Sequence, residues 1–207
     1  MARQAKRLFT GVTASRTSTS KRMHAGKGSK QLEKRENMEA LINQCLKRRE
    51  FSQAAVLVRE YVRLYEKTLP YEKLCVLSNA MMLANELPEA FNLIMRAIRL
   101  DGNSAQAPEI LFWIYHAKGD KQALTVLNRL IEDGPVDQQN KYVYWQALHW
   151  NNHSEPEKCI EAIDRAGGPP PESFQNYPEV MFSFIRSLVS IGDVDRASAE
   201  YDRIPDH

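Results

Sequence analysis

The stretch "AKGDKQALTVLNRLI" at residues 117–131 follows the same plan as "SIGDVDRASAEYDRIP" at residues 190–205. Each contains Gly-Asp, a short polar segment, a small residue, and then apolar residues three or four positions apart. That apolar spacing is typical of one face of an α-helix, and Gly-Asp is typical of the turn before a helix. A turn and helix used twice in one chain predict a repeated structural unit.

The rest of the chain extends this plan. A small residue recurs near the start of every second predicted helix, at steps of 36, 33, 36 and 38 residues: Ala54, Ala90, Ala123, Cys159 and Ala197. We expect the two helices of a pair to cross closely there, because a larger side chain would push them apart. A period of about 34 residues is the signature of an α-solenoid, a stack of helix pairs. The pattern therefore predicts an all-α fold of about ten short helices; an irregular helical bundle with coincidental spacing is the alternative.

Residues 71–104, "YEKLCVLSNAMMLANELPEAFNLIMRAIRLDGNS", resemble a tetratricopeptide repeat (TPR). The resemblance rests on residues at the family's packing positions in both helices: Leu74, Leu77, Ser78, Met81, Ala90, Ile94 and Ala97. It extends in weaker form over roughly residues 35–205, which are also somewhat similar to pentatricopeptide repeats, a helical hairpin that reads RNA. The resemblance implies a right-handed α-solenoid of about five antiparallel helix pairs, forming a domain over residues 31–207.

The resemblance also implies a concave surface, lined by the first helices, that binds extended peptides or helices of partner proteins. The candidate residues for this protein-binding groove are Asn43, Asn79, Asn85, His116, Tyr144, Trp145 and His149. Tyr and Trp are favoured interface anchors, since they bury a large area at a low cost in conformational entropy. Tyr144 and Trp145 suit a place in the core equally well. For Trp150 a core position is the preferred interpretation, because it occupies a packing position of the family.

Charge divides the chain into two parts. The basic residues of the first 30 positions are Arg3, Lys6, Arg7, Arg16, Lys21, Arg22, Lys27 and Lys30. This segment has no Asp or Glu, so its net charge is +8. The other 20 of the 28 basic side chains and all 26 acidic ones lie in residues 31–207, which gives that part a net charge of −6. We therefore interpret residues 1–30 as an extension separate from the helical domain.

Three interpretations of this basic extension remain open. Its Arg, Lys, Ser and Thr content without acidic residues is typical of a mitochondrial transit peptide. Eight cations separated by small residues also suit an arm that lies on rRNA, because they can replace the counterions of the phosphate backbone. A solvated tail without a task is the third interpretation. The first two are compatible if the segment is retained after import.

Several classes of function are not expected. The sequence has no GxGxxG, P-loop, HExxH or Gly-x-Ser-x-Gly motif, so we predict no enzyme, no cofactor and no small-molecule substrate. We predict no metal site, and expect Cys45, Cys75 and Cys159 to be buried hydrophobic residues. No apolar run approaches the roughly 18 residues of a membrane span. Direct RNA reading by the acidic body is disfavoured, because phosphate contacts require cations.

Two hypotheses about function follow. The first is a subunit of a mitochondrial ribonucleoprotein, the mitochondrial ribosome, in which the helical body contacts other proteins and the basic extension contacts rRNA. The second is a TPR adaptor or assembly factor outside any RNA complex. The first hypothesis places the protein in the mitochondrial matrix; the second also allows the cytoplasm.

Overall fold

The computed structural model describes residues 25–101, 104–134 and 136–204, with side chains from Leu32 onward. Within these stretches the regular structure consists of α-helices and two short 3₁₀ helices, at Glu66–Thr68 and Val136–Gln138. The α-helices are α1 Ala25–Lys47, α2 Phe51–Tyr65, α3 Tyr71–Leu83, α4 Leu87–Leu100, α5 Gln106–Ala117, α6 Gln122–Asp133, α7 Gln139–Asn152, α8 Pro156–Arg165, α9 Tyr177–Ile191 and α10 Val194–Tyr201. Among these helices, none combines the length and the apolar character needed to cross a bilayer.

The chain divides into two compact units, Met1–Ala40 and Leu41–His207. In the described part of the first unit, Arg35 and Glu39 form an ion pair one helical turn apart, with Nε and Oε1 separated by 3.4 Å. The sequence-based boundary at residue 30 stays a prediction, because residues 1–24 lie outside the described stretches.

In the second unit, the helices pack in chain order. α3 packs on α4, α5 on α6, α7 on α8 and α9 on α10, and each of these pairs also packs on the next. First helices lie beside first helices, as α3 does with α5 and α7 with α9. This arrangement is a stack of helix pairs, so the irregular bundle considered from the sequence is excluded.

The turn inside each pair has the same backbone conformation. A residue in the left-handed region, with φ between 59° and 84°, follows each first helix: Arg49, Asn85, Gly119, Ser154 and Gly192. The N–H of the next residue then donates to the carbonyl oxygen five residues earlier, over 2.9 to 3.0 Å. These bonds are those of the Schellman motif, which satisfies carbonyl groups left without partners at a helix end. Glycine supplies this conformation in only two of the five turns.

An acidic residue follows each left-handed residue: Glu50, Glu86, Asp120, Glu155 and Asp193. Asp120 Oδ1 accepts a hydrogen bond from the Gln122 N–H (2.9 Å), and Asp193 Oδ1 accepts one from the Arg196 N–H (3.3 Å). A negative charge at the start of a helix is favoured by the helix dipole. The acidic position is therefore part of the repeated unit, which the sequence analysis recognised only where glycine precedes it.

The five small residues are buried, as their predicted place between paired helices requires. Ala54, Ala90, Ala123 and Cys159 are completely buried, and Ala197 is almost so. In the α3–α4 pair the Ser78 hydroxyl donates to the Ala90 carbonyl oxygen over 2.8 Å, which shows how near the two backbones are. The predicted apolar faces are also confirmed, since Leu74, Leu77, Met81, Leu93, Ile94 and Ala97 are buried.

The close crossing gives a testable prediction. Ala90→Leu adds three carbon atoms at a completely buried position, so we expect the free energy of unfolding to fall by about 1–3 kcal/mol or more. Ala117→Leu is the matched control, because Ala117 lies at the exposed end of α5. Urea unfolding followed by circular dichroism measures both variants. Equal midpoints for the two variants would contradict the close-crossing argument.

Candidate protein-binding surface

Equivalent positions of the first helices define one shared face. In each first helix, the residues nine, six and two positions before the left-handed turn residue point in similar directions. They are three and four residues apart, which is close to one helical turn. The nine-before positions are Val76, Ile110, Trp145 and Ser183; the six-before positions are Asn79, Trp113, Leu148 and Arg186; the two-before positions are Leu83, Ala117, Asn152 and Ser190. The first helices of a solenoid line its concave side, so this face is the candidate groove.

The face is open and largely apolar on α3 and α5. Val76 is 41% exposed and Leu83 is 45% exposed, whereas Asn79, Ile110 and Trp113 are half-buried. We call these five residues the α3–α5 surface. Because the two helices pack side by side, the residues form a patch on which an apolar side chain of a partner can be buried. Trp113 is the aromatic side chain of this surface; the sequence analysis had named Trp145 as a candidate, with a core position equally suited to it.

On α7, Trp145 and Leu148 of the same face are buried, so of the two interpretations left open for Trp145 the structure favours the core. Trp145 is only 3% exposed. Its ring is stacked on Phe112, with centroids 5.4 Å apart and planes at 7°, and meets Trp113 edge-on at 5.0 Å. Its indole N–H donates to Asn176 Oδ1 over 3.3 Å, and Lys141 Nζ lies 4.8 Å from its ring centre. Trp145 thus joins three helix pairs and is not available to a partner.

Tyr144 and His149 are also buried. For Tyr144 this is the core position that the sequence left open, whereas His149 was expected to line the groove. The Tyr144 hydroxyl donates to the Gly168 carbonyl oxygen over 3.1 Å, and its ring lies 5.2 Å from that of Phe174. These contacts bind α7 to the connection that leads to α9. Tyr144 is covered by the α8–α9 connection, and His149 lies against His116 of α5. The local sequence cannot reveal this burial, because the covering residues are distant in the chain.

The remaining groove candidates stay predictions, with different exposures. Asn43 is exposed, Asn79 is half-buried within the α3–α5 surface, and His116 is half-buried. Asn85 is exposed but serves as a left-handed turn residue, which explains its choice without a partner. Trp150, for which a core position was preferred, is half-buried at the edge of the core, and Lys158 Nζ lies 4.6 Å from its ring centre.

Three histidines meet between α5 and α7. The ring of His149 lies 4.3 Å from that of His153 and 5.7 Å from that of His116. The Asn152 amide nitrogen is 2.9 Å from His116 Nε2, an arrangement in which the amide donates to a neutral imidazole. Nδ1 of His116 and Nδ1 of His149 are buried and have no hydrogen-bond partner among the described residues. Burial and the nearby His153 lower the pKa of His116 and of His149 to about 4, so both rings are neutral at pH 7.

Cys45, Cys75 and Cys159 are free thiols and are buried, as the sequence predicted. Burial raises the pKa of the Cys75 and Cys159 thiols, which keeps them protonated and unreactive. In the described stretches, no group of His, Cys, Asp and Glu side chains has a geometry that can hold a metal ion.

Most of the predicted RNA-binding residues lie outside the described residues: Arg3, Lys6, Arg7, Arg16, Lys21 and Arg22. Lys27 and Lys30 lie within α1, but their side chains are outside the described set. Binding of rRNA by this segment stays a prediction.

Comparisons with known proteins identify the fold. No protein-family model matches the chain, and no curated protein matches it in sequence. A solved double mutant of MamA from RS-1 shares 18% identity and a TM-score of 0.59 over 82% of this chain and 91% of that one. The TPR-like repeats of a kinesin light chain from Podospora anserina share 12% identity and a TM-score of 0.61 over 81% and 91%. A thermophilic TPR protein from Thermus thermophilus shares 16% identity and a TM-score of 0.56 over 82% and 89%. At such low identity these likenesses show the fold alone, and they confirm the all-α, TPR-like solenoid.

The buried histidines predict a loss of stability in mild acid. An unfolded histidine binds a proton below about pH 6.5, whereas His116 and His149 stay neutral in the folded chain down to about pH 4. Because the unfolded state binds more protons in this window, the free energy of unfolding falls as pH falls, by up to ~1.4 kcal/mol per pH unit for each histidine. Urea midpoints at pH 7.5, 6.5 and 5.5 measure the slope. The double variant His116→Gln, His149→Gln should flatten it; an unchanged slope would show that other groups are responsible.

Proposed function

We propose that this chain is a non-enzymatic scaffold that holds a partner protein on the α3–α5 surface. The fold, a TPR-like helical repeat, is suited to protein–protein interaction. The observation that supports this particular surface is the exposure of Val76 and Leu83 beside the half-buried Trp113. Scattered exposed apolar residues are ordinary, but exposed apolar residues on the same face of neighbouring helices offer a place where a partner can exclude water.

The position of Trp113 strengthens this choice of surface. Its ring packs edge-on against Phe112 at 4.8 Å and Trp145 at 5.0 Å, so one side is held by the core. The other side remains accessible, because the residue is only half-buried. A partner therefore meets an aromatic ring whose orientation is already fixed, and little conformational entropy is lost on binding.

We propose further that the scaffold works within a mitochondrial ribonucleoprotein, the mitochondrial ribosome. The charge division supports this finer assignment: +8 in residues 1–30 against −6 in residues 31–207. Phosphate attracts the first segment and repels the second, so the basic extension would contact rRNA while the helical body contacts proteins. The same acid-free, Ser- and Thr-rich composition supports import into the mitochondrial matrix.

A second candidate function is an adaptor or assembly factor outside any RNA complex. It is favoured by the acidic body, which offers phosphate no attraction, and by the apolar character of the α3–α5 surface. For an assembly factor in the matrix, the basic extension then serves only for import; for a cytoplasmic adaptor, it is a solvated tail.

A sedimentation experiment separates the two candidates. The full-length tagged chain is run on a density gradient from mitochondrial and cytoplasmic lysates, with and without RNase. For a ribosomal subunit we expect co-migration with a ribosomal particle in the mitochondrial lysate and a shift to lighter fractions after RNase treatment. A light complex that RNase leaves unchanged would contradict the ribosomal assignment and favour the adaptor.

Two variants separate the contribution of the basic extension to RNA binding from that of the α3–α5 surface to partner binding. Replacing the eight basic residues of the extension by Gln should abolish RNA crosslinking, because the phosphate contacts are lost. Leu83→Asp should release protein partners and lower the urea midpoint only slightly, since the side chain is already 45% exposed and the new carboxylate lies at the C-terminal end of α3. Val56→Asp is its matched control, an equally small change on the exposed side of α2. Partner binding that survives Leu83→Asp would exclude the α3–α5 surface.

A further inference from the structure

A stripe of four exposed residues runs along α9. Glu179, Phe182, Arg186 and Val189 are separated by three, four and three residues, which places them on one side of the helix. Phe182 is 60% exposed and Val189 is 56% exposed. We call these residues the α9 stripe. Their spacing is that of the contact positions between two helices that pack with a shallow crossing angle.

In the preceding pairs, the position equivalent to Phe182 is covered. It lies ten residues before the left-handed turn residue, and its counterparts are Cys75, Glu109 and Tyr144. Cys75 is completely buried, and Tyr144 lies against Phe174. Glu109 Oε1 accepts hydrogen bonds from the Tyr142 hydroxyl (2.8 Å) and from Lys141 Nζ (2.7 Å), both on the next first helix. This position of a first helix is therefore covered in those pairs, by the next first helix at Glu109 and by the α8–α9 connection at Tyr144.

The second helix of the same pair shows the same difference. Four residues after the small residue, the counterparts Val58, Ile94, Leu127 and Ile163 are buried. Tyr201, at that position in α10, is 62% exposed. Both helices of the α9–α10 pair thus present, to solvent, large apolar side chains at positions that are covered in the preceding pairs.

The charges of the α9 stripe identify the occupant. Glu179 and Arg186 are both exposed and lie two turns apart, on either side of Phe182. If a second α9 lies antiparallel on the first, with the two-fold axis near Phe182, Glu179 of each copy meets Arg186 of the other. A parallel arrangement would instead place like charges together. The stripe is thus complementary to itself, as an isologous interface requires.

We propose that the chain forms a two-fold symmetric homodimer through the α9 stripe, with the two α9 helices antiparallel. Phe182 of the two copies supplies the central apolar contact, Val189 and Tyr201 of α10 extend it at the edges, and two Glu179–Arg186 pairs set the direction. This inference does not depend on RNA binding or on the α3–α5 surface, which lies on other helices. It leaves that surface free in each copy.

Analytical ultracentrifugation of the full chain at protein concentrations of about 1–100 µM tests the proposal, because it detects dimers whose dissociation constants lie in that range. We expect a reversible monomer–dimer equilibrium for the unaltered chain. Phe182→Asp should raise the dissociation constant at least ~30-fold, because each interface contains this central apolar side chain twice. Val56→Asp is the matched control: Val56 is 62% exposed on α2, and its substitution should leave the equilibrium unchanged. Circular dichroism confirms that each variant is folded.

A charge-reversal cycle tests the antiparallel arrangement. Glu179→Arg alone and Arg186→Glu alone should each weaken the dimer, by ~10-fold or less, because each creates two like-charge contacts. The double variant Glu179→Arg, Arg186→Glu should restore the original dissociation constant. Weakening by both single variants without recovery in the double variant would overturn the antiparallel pairing. A monomer at every concentration, including one that binds only a helix of another protein, would overturn the dimer itself.

Discussion

The close crossing of the two helices in each pair is the constraint on which the rest of the fold depends. Ala90, at the centre of one crossing, has no exposed surface, and the Ser78 hydroxyl reaches its carbonyl oxygen directly. A pair that is this thin can stack on its neighbours with first helices side by side, which creates the shared face. Both the open α3–α5 surface and the filled face of α7 are consequences of that stacking. The differences between them come from the side chains alone.

Trp145 divides the shared face into two regions with different roles. Its ring contacts Phe112 and Trp113 in one direction and its indole N–H reaches Asn176 in the other, so it holds the third, fourth and fifth pairs together. Beyond α5, the nine-before and six-before positions of α7 are closed by Trp145 and Leu148, whereas the exposed positions of the face, at Asn152, Arg186 and Ser190, are polar. The exposed apolar part of this face, among the described residues, lies on α3.

The sequence predicted the helix pairs well, because their spacing depends on local patterns such as the small residue at Ala54 or Cys159. It left the choice between groove and core open at Trp145 and failed at His149, since burial of a first-helix side chain depends on helices about 35 residues away. Trp113 was overlooked for the same reason, although counting back six residues from Gly119 would have aligned it with Asn79. For residues 1–30, composition supports a transit peptide or an rRNA-binding arm, and no contact among the described residues tests either interpretation.

The left-handed turn residue has a consequence for how this fold can change over time. Arg49, Asn85 and Ser154 adopt the conformation that Gly119 and Gly192 adopt, although a side chain raises the energy of that conformation by roughly 1 kcal/mol. The same backbone hydrogen bonds form in all five turns, so this turn geometry does not require glycine. A sequence can therefore keep the architecture without keeping the residues by which a repeat is usually recognised. The chain superimposes on solved TPR-type structures at 12–18% identity and matches no family profile.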